Sequence, residues 1–235
     1  MHMRKKKWAR PELAACPWVV QTPEQARGRW QALFSREAPL HLELGCGKGV
    51  ATAAMVAANP GVNYVAVDIS PDVLGDARRN IDAACGGRVE NALLARANIE
   101  QLSGIFAPED GVSRIYIRFC NPWPRRGHKK RRLTHPRQLV QYRALLPVGG
   151  EIWFKTDDDT LFQDSLVYFD LCGFETVYLT HDLHASGFAP NYVSEHERRF
   201  VSQGIPIKAG IWRKTAAEID EDFTRWELDE DRRDG

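Results

Sequence analysis

With 235 residues, 43% of them apolar and 27% charged, the chain can bury one sizeable core and is expected to form one domain with short extensions. A net charge of +1 excludes a globally sticky basic surface, but the charge is uneven. Five scattered cysteines (16, 46, 85, 120, 172) with no Cys-x-x-Cys pair exclude a disulfide framework or zinc site, and no apolar run reaches the ~18 residues of a membrane span.

Basic residues cluster at Arg4, Lys5, Lys6, Lys7 and Arg10, but no apolar segment follows them, so they are not a signal peptide. A reduced, cytoplasmic protein is expected. Residues 1–22 lack a period and read as an arm packed on the body. Ala26, Trp30, Leu33 and Phe34 have helical spacing, which predicts a helix over 25–34. Leu40 to Leu44 reads as a buried strand, 50–58 as an alanine-rich helix stopped by Asn59-Pro60-Gly61, and 64–67 as a second strand closed by Asp68. A helix from Pro71 to Ala84 follows, then a strand at 92–95, a helix at 99–106 and a strand at 113–119. Beyond it come a helix at 136–146, strands at 151–155, 174–179 and 207–212, and a helix at 160–171. Strand and helix alternating with short connections predict an α/β fold, a mostly parallel seven-stranded sheet with helices on both faces.

Two stretches carry chemistry. Gly45, Gly47 and Gly49 follow the first of these strands and open a helix, where a bare backbone lets a ligand approach the positive helix end. Asp68, twenty-one residues beyond Gly47, ends the next strand, where such folds place an acid on ribose hydroxyls. Val50 stands where a dinucleotide fingerprint wants glycine, so Glu43-x-Gly-x-Gly-x-Gly fits S-adenosylmethionine better, its ammonium and sulfonium meeting the acid. The alternative role for Glu43 is that of a buried structural carboxylate.

The other stretch runs from Arg114 to Leu133. A β-branched and aromatic strand breaks at Asn121-Pro122-Trp123-Pro124, and six Lys/Arg follow over residues 125–132. Such a run is either a solvated loop or a phosphate-binding surface. His128, His135, His181 and His184 lack metal-ligand spacing, and Asp157-Asp158-Asp159 has no partner carboxylates placed, so no metal site is expected.

These motifs together resemble the bacterial tRNA (guanine-N7-)-methyltransferase family, over nearly all of residues 3–214. The Pro-Trp-Pro turn with Lys130-Arg131-Arg132-Leu133, then Phe154-Lys155-Thr156-Asp157 and the 194–200 segment Ser-Glu-His-Glu-Arg-Arg-Phe, are the specific parts. The resemblance implies a Rossmann-like class I methyltransferase fold. It divides the chain into an arm and first helix (1–36), a methyltransferase domain (37–214) and an acidic tail (215–235), with nine acids against three arginines over 218–234. It places Glu43, Gly45, Gly47, Gly49, Asp68, Asn98 and Asn121 on S-adenosylmethionine. Arg125, Asp157, Ser194, Glu195, His196 and Glu197 would face the target guanine. Arg126, Lys129, Lys130, Arg131 and Arg132 would hold tRNA phosphates, helped by Arg4 to Lys7. Some of these arginines could instead pair with internal acids.

Two positions depart from the family's usual Asp, Asn98 and Asn121, and His196 replaces its usual aromatic. Guanine N7 is an unprotonated lone pair, so its methylation needs positioning and charge stabilisation rather than a general base. Asn121 and Asp157 are the expected catalytic pair. Asn121 has a second role open to it, as a turn residue, and Asp157 as a helix cap. Trp123 either stacks on the base or wedges the turn. The implied activity is methyl transfer to N7 of a tRNA guanosine by a monomer or homodimer. A tRNA-binding homologue that has lost catalysis through Asn121, or an exocyclic-amine methyltransferase, are the alternatives.

Overall fold

The computed structural model describes residues 5–220. Its sheet has eight strands: β1 (Val19–Val20), β2 (Leu40–Leu44), β3 (Asn63–Asp68), β4 (Ala92–Arg96), β5 (Val112–Arg118), β6 (Glu151–Thr156), β7 (Phe174–Thr180) and β8 (Lys208–Lys214). They lie in the order β1-β4-β3-β2-β5-β6-β8-β7. The seven expected strands are all present. The eighth is the two-residue β1, which the arm adds beside β4 with Val19 opposite Leu94. All pairings are parallel except those of β8 with β6 and β7.

The helices are α1 (Ala9–Ala15), α2 (Val50–Ala58), α3 (Pro71–Ala84), α4 (Pro136–Leu145), α5 (Asp159–Leu171) and α6 (Glu195–Ser202). One core joins inward residues of β2, β3 and β5 to Leu139 and Tyr142 of α4 and Phe162 and Phe169 of α5. Within it Phe169 stacks on Trp212 at 4.1 Å. The other face packs Leu13 of α1, Met55 of α2 and Leu74 and Ile81 of α3. Helices on both faces explain why β2 and β3 are buried at nearly every position, His41 and Glu43 of β2 included. Among the described residues, no helix is long and apolar enough to cross a membrane.

The helix expected over 25–34 is instead two short 3₁₀ turns, Pro23–Ala26 and Trp30–Leu33. The cause is Asp110, fully buried, whose carboxylate accepts from the backbone N–H groups of Gly28, Trp30 and Ala107. Those bonds take the donors that a helical ladder would use, and Gly28 turns to φ +77 between the two turns. Residues 99–106 likewise hold only a 3₁₀ segment, Ile99–Gly104, broken by a non-helical Gln101. The arm is not patternless: α1 packs on α3, and the Lys6 ammonium pairs with Asp76. Arg4, and the acidic tail from residue 221 onward, lie outside the described residues.

His41 on β2 is buried, with Tyr116 Oη 3.4 Å from its Nδ1. Burial, and then Arg114, pull its pKa from 6.5 to about 4. The neutral ring is therefore the folded form, and its stabilising contribution is complete above pH 6.5 and lost as pH falls towards 4. That loss amounts to about 3 kcal/mol. Denaturant titrations at pH 7 and pH 4 should show this fall, and His41→Asn should remove that component.

Candidate functional site

The chain leaves β2 for β3 and β4 on one side, then crosses to β5 on the other. This makes the carboxyl ends of β2 and β5 the switch point where open α/β sheets bind ligands. Leu44 lies opposite Ile117, so Gly45 and Arg118 leave the sheet side by side. Asp68 ends β3 and Asn98 follows β4. On the other flank Arg118 pairs with Lys155 of β6, and the Phe119 N–H donates to the Lys155 carbonyl. Asp157 sits just past β6. Five loops thus deliver Asn98, Asp68, Gly45, Asn121 and Asp157 to one edge.

Two adjoining hollows open there. One, of about 330 Å³, is lined by Gly45, Asp68, Asn98 and Asn121, with Ile69, Ile99 and Trp123. The second lies between Glu43, the glycine loop and Ser194, Glu195 and His196. Gly45, Arg118 and Phe119 wall both.

The glycine loop is held tightly. Gly49 has φ +66, and a Cβ there would lie 2.7 Å from the Ala77 Cβ, so the start of α2 rests directly on α3. Asp68 accepts from the Gly47 N–H at 3.0 Å and the Ser70 N–H at 2.9 Å, and burial raises its pKa. Glu43 is buried; its Oε2 accepts from Thr52 Oγ1 at 2.5 Å and its Oε1 from Arg118 Nη1 at 2.9 Å. It is therefore both a structural carboxylate and a wall of the hollow.

The turn after β5 is strained at two non-glycine residues, Phe119 (φ +50) and Trp123 (φ +42), which flank Asn121. Such backbone persists only where its surroundings over-determine it. Phe119 stacks on His196 and Phe200, with ring centroids 6.4 and 6.0 Å away. Trp123 meets His128 edge-on and lies under the Arg131 guanidinium. The Asn121 Oδ1 accepts from the Trp123 N–H at 3.1 Å, the turn role, which leaves its amide nitrogen without a turn bond. Asn98 similarly accepts from the Glu100 N–H.

The cap of α5 is Asp158, whose Oδ1 accepts from the Leu161 N–H at 2.7 Å, and not Asp157. The Asp157 carboxyl is raised above its usual pKa by burial and the neighbouring Asp158. His196 and Lys208 oppose that shift, so both side chains lie within electrostatic range of the carboxyl.

Three expected assignments need correction. Glu197 does not face a ligand: it is fully buried, accepting from Lys155 Nζ at 2.5 Å and Asn191 Nδ2 at 2.7 Å, with His184 Nε2 at 2.9 Å. It also closes a capping box with Ser194 at the start of α6. Arg132 is fully buried, donating from Nη1 to Asp164 at 2.5 Å and from Nε to the Pro122 carbonyl at 2.7 Å. Lys129 is buried on the same Asp164. Their charges brace the turn from within and offer no face to a phosphate. Arg125, Arg126, Lys130 and Arg131 are exposed.

Residues 37–209 match the family model described as "Putative methyltransferase". A tRNA (guanine-N(7)-)-methyltransferase of Clostridium botulinum (strain Eklund 17B / Type B) is 51% identical over 211 residues, covering 88% of this chain and 96% of the relative. One from Acetivibrio thermocellus is 48% identical, covering 91% of this chain and all of the relative. The chain belongs to the tRNA (guanine-N7-)-methyltransferase family. Solved structures share its fold at low identity. The 16S rRNA methyltransferase KamB aligns with TM-score 0.60 at 16% identity, over 79% of this chain and 92% of that one. A 16S rRNA (adenine(1408)-N(1))-methyltransferase with cosubstrate SAM aligns with TM-score 0.56 at 15% identity, over 84% and 93%.

For this family member, sequence reading missed Arg118 and the Lys155–Asn191–His184 cluster around Glu197. Arg118 looks like the tail of an apolar strand. A cation ending a strand that is otherwise buried is the signal that could have exposed it, since such a charge needs a partner.

Proposed function

We propose that the protein transfers a methyl group from S-adenosylmethionine to N7 of a guanosine in tRNA. The observation that carries this is the shared wall of the two hollows: the donor side and the base side meet at Gly45, Arg118 and Phe119. The larger hollow falls within the ~300–1,000 Å³ of small-molecule clefts. Its residues fit the donor: Asp68 and Asn98 offer polar groups for a ribose and an adenine edge, and Ile69 and Ile99 offer apolar flanks. Bound there, S-adenosylmethionine supplies an electron-poor methyl group on sulfur.

The protein's own part is placement and charge. N7 carries a free lone pair, so no residue need remove a proton. Asp157, half-buried and without a capping duty, accepts from guanine N1–H and N2–H and offsets the positive charge that develops on the ring. Asn121, its carbonyl held by the Trp123 N–H, turns an amide donor to guanine O6, the acceptor beside N7. Ser194, Glu195 and His196 close the base side, and Arg125 is the first exposed cation after Pro124. The base must leave its stack to enter.

Arg125, Arg126, Lys130 and Arg131 form the phosphate-facing surface. Lys130→Ala should lower the slope of log K for tRNA against log salt by about 0.7–0.9. Arg132→Met should leave that slope unchanged and reduce stability instead. Filter-binding across a salt series, with thermal melts of both variants, checks this.

Labelled S-adenosylmethionine and bulk tRNA, digested to nucleosides after reaction, test the activity. The label should appear in 7-methylguanosine. Label in a methylated exocyclic amine, or tRNA binding with no label at all, would overturn the assignment.

A further inference from the structure

Arg118 is the last residue of β5, and only 7% of its side chain is exposed. Its Nη1 donates to Glu43 at 2.9 Å, its Nη2 lies 2.7 Å from the Met55 sulfur, and its guanidinium sits 4.7 Å from the Tyr116 ring centre. Guanidinium carries five N–H donors, so the Glu43 and Met55 contacts leave part of the fork uncommitted. The same side chain lines both hollows.

This changes the electrostatics at the glycine loop. A lone buried Glu43 would present a full negative charge, suited to a cation. Paired with Arg118 it presents a dipole, negative at Glu43 and positive at Arg118. The start of α2, at Gly49 and Val50, adds a partial positive charge to the same hollow. A zwitterionic α-amino acid matches that pattern, with its ammonium towards Glu43 and its carboxylate towards Arg118; the donor's methionine end then crosses the shared wall into the second hollow and leaves its Ser194 to His196 side to the base.

We infer that Arg118 binds the carboxylate of the donor's methionine tail, and that Glu43 acts with it as a pair instead of as an isolated anion. The inference rests on the methyl-donor reading above and adds a recognition residue to it.

The test removes the carboxylate from the ligand and the guanidinium from the protein. Calorimetry measures binding of S-adenosylmethionine and decarboxylated S-adenosylmethionine, which keeps the ammonium, to the wild-type protein and to Arg118→Met. Wild type should prefer the carboxylated ligand by roughly 10- to 100-fold, the range of a charge-assisted hydrogen bond. In Arg118→Met the preference should shrink to within about twofold, mainly because the carboxylated ligand weakens. Equal weakening of both ligands, or an unchanged preference, would overturn the role and leave Arg118 a support for Glu43.

Removing Arg118 strands a buried carboxylate, so Arg118→Lys provides a second arm that keeps the charge without the fork. It should retain an intermediate preference. Wild type alone also decides: binding both ligands equally well would overturn the proposal without any substitution. Wild type binding neither ligand would instead overturn the methyl-donor reading from which the proposal starts.

Discussion

Glu197→Ala should lower the thermal midpoint by roughly 6–20 °C, corresponding to about 3–5 kcal/mol for breaking a buried charge pair in a domain of this size. Glu197 receives Lys155, Asn191 and His184 and caps α6 through Ser194. Burial alone would raise its pKa, but Lys155 and the hydrogen bonds hold it below the usual value, so the carboxylate is the form the fold stabilises. Without it the Lys155 ammonium is left buried and unpaired, and the 191–196 segment loses its anchor to β6. Glu197→Gln, which keeps the shape and some bonds, should lose less. Glu195→Ala, two residues away but exposed and, among the described residues, ion-paired only with Lys48, should stay within about 0.5 kcal/mol of wild type. Melting curves of the three variants make the comparison. Similar small shifts for Glu197→Ala and Glu195→Ala would refute the anchoring role.

Asp157→Asn should reduce kcat/KM for tRNA by about 10²- to 10³-fold, the scale for losing one group that stabilises developing charge. Its carboxyl is not the α5 cap, so the loss should come with little change in melting temperature. The sign of the pH effect is fixed by its environment. Burial and Asp158 raise the folded pKa, so on acidification Asp157 takes up its proton earlier than an ordinary aspartate. Activity should therefore fall on the acid side at a pH above 3.8, and that limb should be missing from the residual activity of Asp157→Asn. Full activity in the variant would remove Asp157 from the reaction.

Much of this architecture was legible because it is local. Residues 64–67 and 115–117 announce themselves as short apolar runs and 40–44 as three alternating leucines, and Gly49 marks a place where only a bare backbone clears Ala77. What was not legible depends on partners far apart in the chain. Asp110 draws three backbone donors from two segments and turns a helix-like pattern into 3₁₀ turns. Glu195 and Glu197 sit in one charged run, yet one is half exposed and the other fully enclosed, because Lys155 comes from β6 to meet only the second. Arg132 and Lys129 read as phosphate-binding members of a basic run until Asp164 of α5 is brought beneath them. Spacing along a sequence gives the face of an element; it does not give the charge on the element opposite.

The central claim is spatial, that the donor and the base share the wall made by Gly45, Arg118 and Phe119. A crystal structure of the protein with S-adenosylhomocysteine and a guanosine-bearing tRNA fragment measures it directly. The adenosine should lie beside Asp68 and Asn98, the ligand sulfur near Gly45 and Asn121, and guanine N7 should point at that sulfur from the Asp157 side. A ligand seated elsewhere, such as the aromatic cavity between Trp153, Tyr178 and Phe188, or a guanine presenting another edge to the sulfur, would contradict the account.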